Sequence, residues 1–193
     1  MQAVAFIAAW VIVLGATKTP FEINPEALKL LPEAVTVYAC FHLLFVEWLW
    51  KLPLLRGWLV PLPDLTGTWK GTLTSTWQGN SESTPLTRDI TLVIRQKFSS
   101  KSSVLYTAES SSESDAAMLK DGGDSGVPIL SYNYQNTPRV SVRQKSNVHL
   151  GAVVLRLHTS PSDWILRGEY WTNRQTAGDM ELKFVSRKLE AIR

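Results

Sequence analysis

Two stretches of this chain carry residues able to hold a small anionic, aromatic-bearing ligand. GEYWTNRQTAG (168–178) supplies Tyr170, Thr172, Arg174 and Thr176. SYNYQNTPRVSVRQKSNVHLG (131–151) places Tyr132, Asn136 and Arg139 at the end of one extended run and His149 at the start of the next. Aromatic rings and guanidinium planes stack on bases, and arginines fork onto phosphates. Each residue also has an ordinary alternative. Tyr170 fits a core, Asn136-Thr137-Pro138 fits a turn, and Arg174 fits a solvated tip.

Known reaction chemistry finds little support. HExxH, GxSxG and a GxGxxG leading into a helix are all missing. GTWKGT lacks phosphate-loop spacing, and DGGDSG reads as a turn. His42, His149 and His158 are not spaced as a metal cluster. The lone Cys40 excludes both a disulfide framework and a cysteine-based zinc site within one chain. The expectation is a non-enzymatic binding protein without a resident cofactor.

Strands must position these residues. Beyond Leu65 the pattern has period two: Trp69, Gly71 and Leu73 share one face, and so do Ile90, Leu92 and Ile94. Val153, Leu155 and Leu157 repeat the pattern, as do Leu166, Gly168 and Tyr170, and then Met180, Leu182 and Phe184. Weaker runs, SVLYTAES, DAAMLKD and VPILSYNYQ, fill the middle, and turn formers such as QGNSESTP (78–85), KDGGDSG and TSPSD separate them. About eight short antiparallel strands with one apolar face must close or stack. The expected fold is an up-and-down, lipocalin-like β-barrel, whose interior can hold one small ligand. A β-sandwich is the alternative.

The chain before the strands differs in kind. Residues 3–16 carry no charge, and 34–50 (AVTVYACFHLLFVEWLW) are nearly as apolar, interrupted by His42 and Glu47. The first run lacks the basic start of a signal peptide. Trp48 and Trp50 beside Lys51 and Arg56 resemble an interfacial belt with basic residues on the inner side. The pattern predicts a hairpin of two transmembrane helices, near 2–17 and 33–51, within residues 1–61, ahead of a cytoplasmic domain at 62–193. Pro61 and Pro63 mark the boundary. His42 and Glu47 are the candidates for membrane assembly. The net charge of +3 lies wholly beyond Pro63, too small an excess for a DNA or RNA duplex partner but compatible with a small anion.

The order of these features resembles the membrane effectors of bacterial CBASS anti-phage systems: SMODS-associated proteins with two transmembrane helices and a β-strand-rich sensor of cyclic oligonucleotides. The resemblance rests on PDLTGTWKGTL (63–73), SYNYQNTP (131–138), HLG (149–151) and GEYWTNRQTAG (168–178), in that order. It implies that a partner nucleotidyltransferase makes a cyclic di- or oligonucleotide during phage infection. The barrel binds this messenger, the protein self-associates, and the bacterial inner membrane is disrupted in abortive infection. Carried over residue by residue, it makes Tyr132, Asn136, His149, Tyr170, Thr172, Arg174 and Thr176 ligand-facing. Trp69 is a further candidate with a barrel-floor alternative, and Arg139 and Arg143 are candidate phosphate neutralisers without a matching family motif. Two rival functions follow from the same architecture: a membrane-tethered carrier of an apolar ligand, and a membrane-anchored scaffold that senses nothing.

Overall fold

The computed structural model describes residues 2–76, 86–144 and 146–190; the turn expected over QGNSESTP lies outside the described residues. The chain divides into two compact units, Met1–Leu52 and Pro53–Arg193.

The first unit is helical: α1 (Gln2–Ala16), the short α2 (Pro25–Lys29) and α3 (Leu31–Glu47). Asn24 starts α2 by accepting a hydrogen bond from the Ala27 amide at 2.8 Å, with Pro25 in the first turn. Phe6 of α1 meets Tyr38 of α3 edge-on, with ring centroids 6.1 Å apart.

The expected transmembrane hairpin is corrected here. Among the described residues no helix is long and apolar enough to cross a membrane. The 15 residues of α1 and 17 of α3 reach about 22 and 25 Å at ~1.5 Å per residue, against a hydrocarbon core of ~30 Å. Specific breaks set these lengths. Thr17 turns its hydroxyl back onto the carbonyls of Val13 and Leu14, and Lys18 takes a left-handed backbone (φ 57°). At the other end, α3 gives way after Glu47 to a 3-10 turn, Leu49–Lys51, and Pro53 follows. The apolar run of 34–50 is therefore not one continuous helix.

The second unit is an eight-stranded antiparallel barrel. Its strands are β1 (Gly67–Ser75), β2 (Leu86–Gln96), β3 (Lys101–Tyr106), β4 (Ser110–Lys120), β5 (Ile129–Pro138), β6 (His149–Thr159), β7 (Trp164–Thr172) and β8 (Ala177–Ser186). Each pairs with the next, and β1 closes on β8, so the sheet forms a barrel and not a sandwich. The strong alternations become the inward rows. Leu92, Ile94, Leu155, Leu166 and Leu182 are buried in one cluster, each worth about 1.5–3 kcal/mol of transfer free energy.

The middle strands fall differently from the sequence runs. SVLYTAES is not one strand: β3 ends at Tyr106 and β4 begins at Ser110. Between them the Thr107 hydroxyl accepts the amides of Glu109 and Ser110 at 3.1 and 2.9 Å, which fixes a tight turn. DAAMLKD becomes the second half of the longer β4, which carries a register shift between Ser114 and Ala116.

Trp69 closes one end of the barrel. It is fully buried, donates through Nε1 to the Leu65 carbonyl at 3.0 Å, and meets Phe184 edge-on at 5.2 Å. It is the floor, distant in register from the strand ends that carry the polar candidates.

Candidate functional site

At the opposite end, the inward rows change from aliphatic to polar. The last inward residue of β1 is Ser75, and the first of β2 are Leu86 and Arg88. Ser112 pairs with Asn136 across β4 and β5, Asn136 with His149 across β5 and β6, and Tyr170 and Thr172 end β7. These residues line a cavity of about 250 Å³ together with Arg174, Thr176, Tyr134, Glu109 and Ser146.

The closing hairpin is built by its own hydroxyls. The Thr172 amide donates to the Thr176 carbonyl at 2.9 Å, and the two side-chain hydroxyls are 2.7 Å apart. Thr172 Oγ1 also accepts the backbone N–H of Arg174 at 3.2 Å. Gln175 takes the left-handed conformation (φ 60°) that lets the loop turn. Arg174 is thereby set at the mouth, where its Nη1 donates to Ser146 Oγ at 3.1 Å. The tip of GEYWTNRQTAG is thus both a self-capped turn and a mount for a guanidinium.

Two tyrosines form the aromatic wall. The Tyr170 hydroxyl meets Ser75 Oγ at 2.7 Å. Tyr134 packs over Gly151, where a Cβ would lie 2.4 Å from its ring and hydroxyl. That close approach is the physical reason for the glycine of HLG. Burial pushes the Tyr170 phenol above its ordinary range, with the Ser75 hydrogen bond and the Arg88 charge pulling the other way. Burial, then neighbouring Tyr170, raises Tyr134 as well. Both phenols are therefore neutral hydrogen-bonding groups at neutral pH. Deeper in the mouth, Asn136 donates from Nδ2 to Ser110 and Ser112 at 3.0 and 2.8 Å, which fixes its plane.

The structure brings Asn136, His149, Tyr170, Thr172, Arg174 and Thr176 to one cavity. Tyr132 is not among its walls. It sits one inward rung below Tyr134, 3% exposed, and its hydroxyl has no hydrogen-bond partner among the described residues. Arg139 and Arg143 also lie outside the cavity wall. Their segment is a 3-10 turn after β5, where Arg139 is exposed and gives its amide to the Glu109 carbonyl, and Arg143 Nε donates to the Pro138 carbonyl at 3.1 Å. In the helical unit His42 is exposed on α3 and stacks on Tyr38 at 5.8 Å, and Glu47 is the last residue of that helix.

Sequence reasoning missed Tyr134 and Arg88. Tyr134 stands two residues from Tyr132 in SYNYQNTP, so the same face carries both. Arg88 has the parity of Ile90, Leu92 and Ile94, and extending that alternation back by one step finds it. Glu109 and Ser146 sit in turns and gave no periodic signal.

A closed barrel with an apolar interior and a mouth of phenols, hydroxyls and guanidiniums has the chemistry of a small-ligand binding protein. The chain belongs to a known family of this kind: residues 60–184 match the family described as Cap15, cyclic dinucleotide receptor domain. It is also similar to CD-NTase-associated protein 15 of Staphylococcus schleiferi, 26% identical over 156 residues, which cover 81% of this chain and 79% of that protein. The resemblance to CBASS effectors holds, and the ligand class is a cyclic nucleotide.

Proposed function

We propose that the barrel mouth is where the messenger binds and that binding converts the chain into a membrane-active assembly without any enzymatic step. The observation that supports this is the convergence on one cavity of six residues from two stretches distant in sequence, Asn136 and His149 from one and Tyr170, Thr172, Arg174 and Thr176 from the other. A volume of about 250 Å³ falls just under the ~300–1,000 Å³ of pockets that enclose a drug-sized ligand. A cyclic dinucleotide therefore enters only in part. Tyr134 and Tyr170 supply faces for a base, Asn136 reads an edge, and Arg174 takes a phosphate. The part left outside offers a surface to a second copy. A ligand drives assembly only if the assembled state binds it better, and that exposed part supplies the difference.

On this reading the helical unit is the effector arm, and the bacterial inner membrane, with the barrel on its cytoplasmic side, is where it acts. Support comes from its apolar side chains, since Val4, Ile7 and Val11, spaced to share one face of α1, are all exposed and such patches mark contact with lipid or protein. A cyclic nucleotide synthase is the functional partner. The test is a titration of the full chain with cyclic di-AMP, cyclic di-GMP and cyclic GMP–AMP, followed by light scattering and by dye release from anionic lipid vesicles. One member is expected to raise both mass and leakage at its binding midpoint. Saturable binding with neither change would remove the assembly and membrane steps.

A further inference from the structure

Arg88 stands in a row where apolar side chains are the rule. On β2 the inward positions are Leu86, Arg88, Ile90, Leu92, Ile94 and Gln96, and Ile90, Leu92 and Ile94 are all buried in the core. Register sets its place: Arg88 pairs with Leu73 near the mouth end of β1, and both residues line the cavity. It faces the same space as Arg174, which comes from the β7–β8 turn.

Arg88 does not meet that space empty-handed. Its Nη1 donates to Glu109 Oε2 in a charge-assisted hydrogen bond. Glu109 is the acidic residue of the cavity wall among the described residues, and it lies in the turn between β3 and β4. That turn is pinned from two sides. The Thr107 hydroxyl accepts the Glu109 amide at 3.1 Å, and the Glu109 carbonyl accepts the Arg139 amide at 2.8 Å. The backbone is held, and the carboxylate is presented to the mouth. A guanidinium fork matches carboxylate and phosphate by the same geometry. The carboxylate therefore fills the place that a ligand phosphate would take on Arg88. The pair is weak enough to exchange. Its side chains are 37% and 49% exposed, the regime in which ion pairs contribute little.

Building on the reading that the mouth holds the messenger, we infer that Arg88 is a second phosphate-binding residue and that Glu109 is a built-in competitor occupying it until ligand arrives. Ligand phosphate replaces the carboxylate, and the β3–β4 turn that carries Glu109 is released from its hold on β2. Two guanidiniums, one on β2 and one in the β7–β8 hairpin tip, suit a ligand with two phosphates. One of them, held by an internal anion, sets the threshold: a lone phosphate or a mononucleotide gains too little from Arg174 alone to displace Glu109.

The test is calorimetric titration of the full chain with the tightest binder among cyclic di-AMP, cyclic di-GMP and cyclic GMP–AMP, for wild type, E109Q, R88A, R174A and the R88A/E109Q double variant. Removing the competitor raises affinity about two- to fivefold in E109Q, and R88A loses about tenfold or more. A purely structural ion pair weakens binding whichever partner is removed, so the opposite signs of E109Q and R88A mark competition, and in the R88A background the gain from E109Q disappears. Melting temperatures report folding in each variant. If R174A weakens binding while R88A and E109Q bind as wild type does, this inference falls and the mouth site stands. If all of them, R174A included, bind as wild type does, or no cyclic dinucleotide binds, the mouth site itself falls.

Discussion

Replacing Arg174 by alanine separates recognition from folding. The side chain is exposed and makes one hydrogen bond among the described residues, to Ser146 at 3.1 Å. The contacts that shape the hairpin, including the Arg174 backbone N–H on Thr172, survive in the variant. The fold should therefore lose no more than about 0.5 kcal/mol. Ligand binding should lose more. A charge-assisted hydrogen bond to phosphate is worth about 1.5–3 kcal/mol, and solvent exposure places this one near the lower end. A loss of about 1.5 kcal/mol is roughly tenfold in Kd. Arg174→Lys keeps the charge without the planar fork, so its affinity should fall between those of wild type and the alanine variant. Raising salt should weaken wild type more steeply than R174A, because the exposed ionic contact is screened. Calorimetry on the full chain, with thermal melting beside it, measures all of these. R174A binding within twofold of wild type, at unchanged melting temperature, would refute the reasoning.

Other expectations follow from the same geometry. Tyr132→Phe removes a buried hydroxyl that has no partner among the described residues, so it should be neutral or stabilising by up to about 1–3 kcal/mol in denaturant titrations, with ligand affinity unchanged; a clear loss of either would return Tyr132 to the site. Gly151→Ala puts a methyl 2.4 Å from the Tyr134 ring and 2.7 Å from the Trp171 carbonyl, which should cost about 1–3 kcal/mol of stability and weaken binding as the ring is displaced; unchanged affinity would mean that Tyr134 is not a ligand wall. Tyr132, Tyr134 and Tyr170 are all held above the ordinary phenol value of 10.0, chiefly by burial. The unfolded chain therefore loses its phenolic protons first: stability should be level below about pH 10 and fall above it, by up to ~1.4 kcal/mol per pH unit for each tyrosine. Urea midpoints from pH 8 to 11 would show this, and a flat profile through pH 11 would contradict it.

Much of the barrel was legible because its inward rows are simple. Leu92, Ile94, Leu155, Leu166 and Leu182 alternate cleanly with polar neighbours, and period two has one meaning in short runs bounded by turn formers. The serine-rich start of β4 gave no such signal. Ser110 and Ser112 are inward because they face Asn136, a pairing between distant strands that local pattern does not encode. At the mouth, aromatic and guanidinium residue types pointed to Tyr170 and Arg174, but Arg88 was passed over as an ordinary charged residue although its parity placed it inside. Tyr132 and Tyr134 share parity, so sequence named the face without telling which rung meets the cavity. The helical unit misled for a different reason. Hydropathy read 34–50 as one span, whereas Leu30, the 3-10 turn at Leu49–Lys51 and Pro53 set the helix ends.

Amide hydrogen exchange of the full chain, with and without a saturating cyclic dinucleotide, tests most directly that the mouth cavity is the receptor site. Slower exchange is predicted in the peptides carrying Thr107–Ser112, Tyr134–Pro138 and Tyr170–Thr176, with no change around Trp69 at the barrel floor. Protection confined to other surfaces of the barrel, with those three segments unaltered at full occupancy, would contradict it.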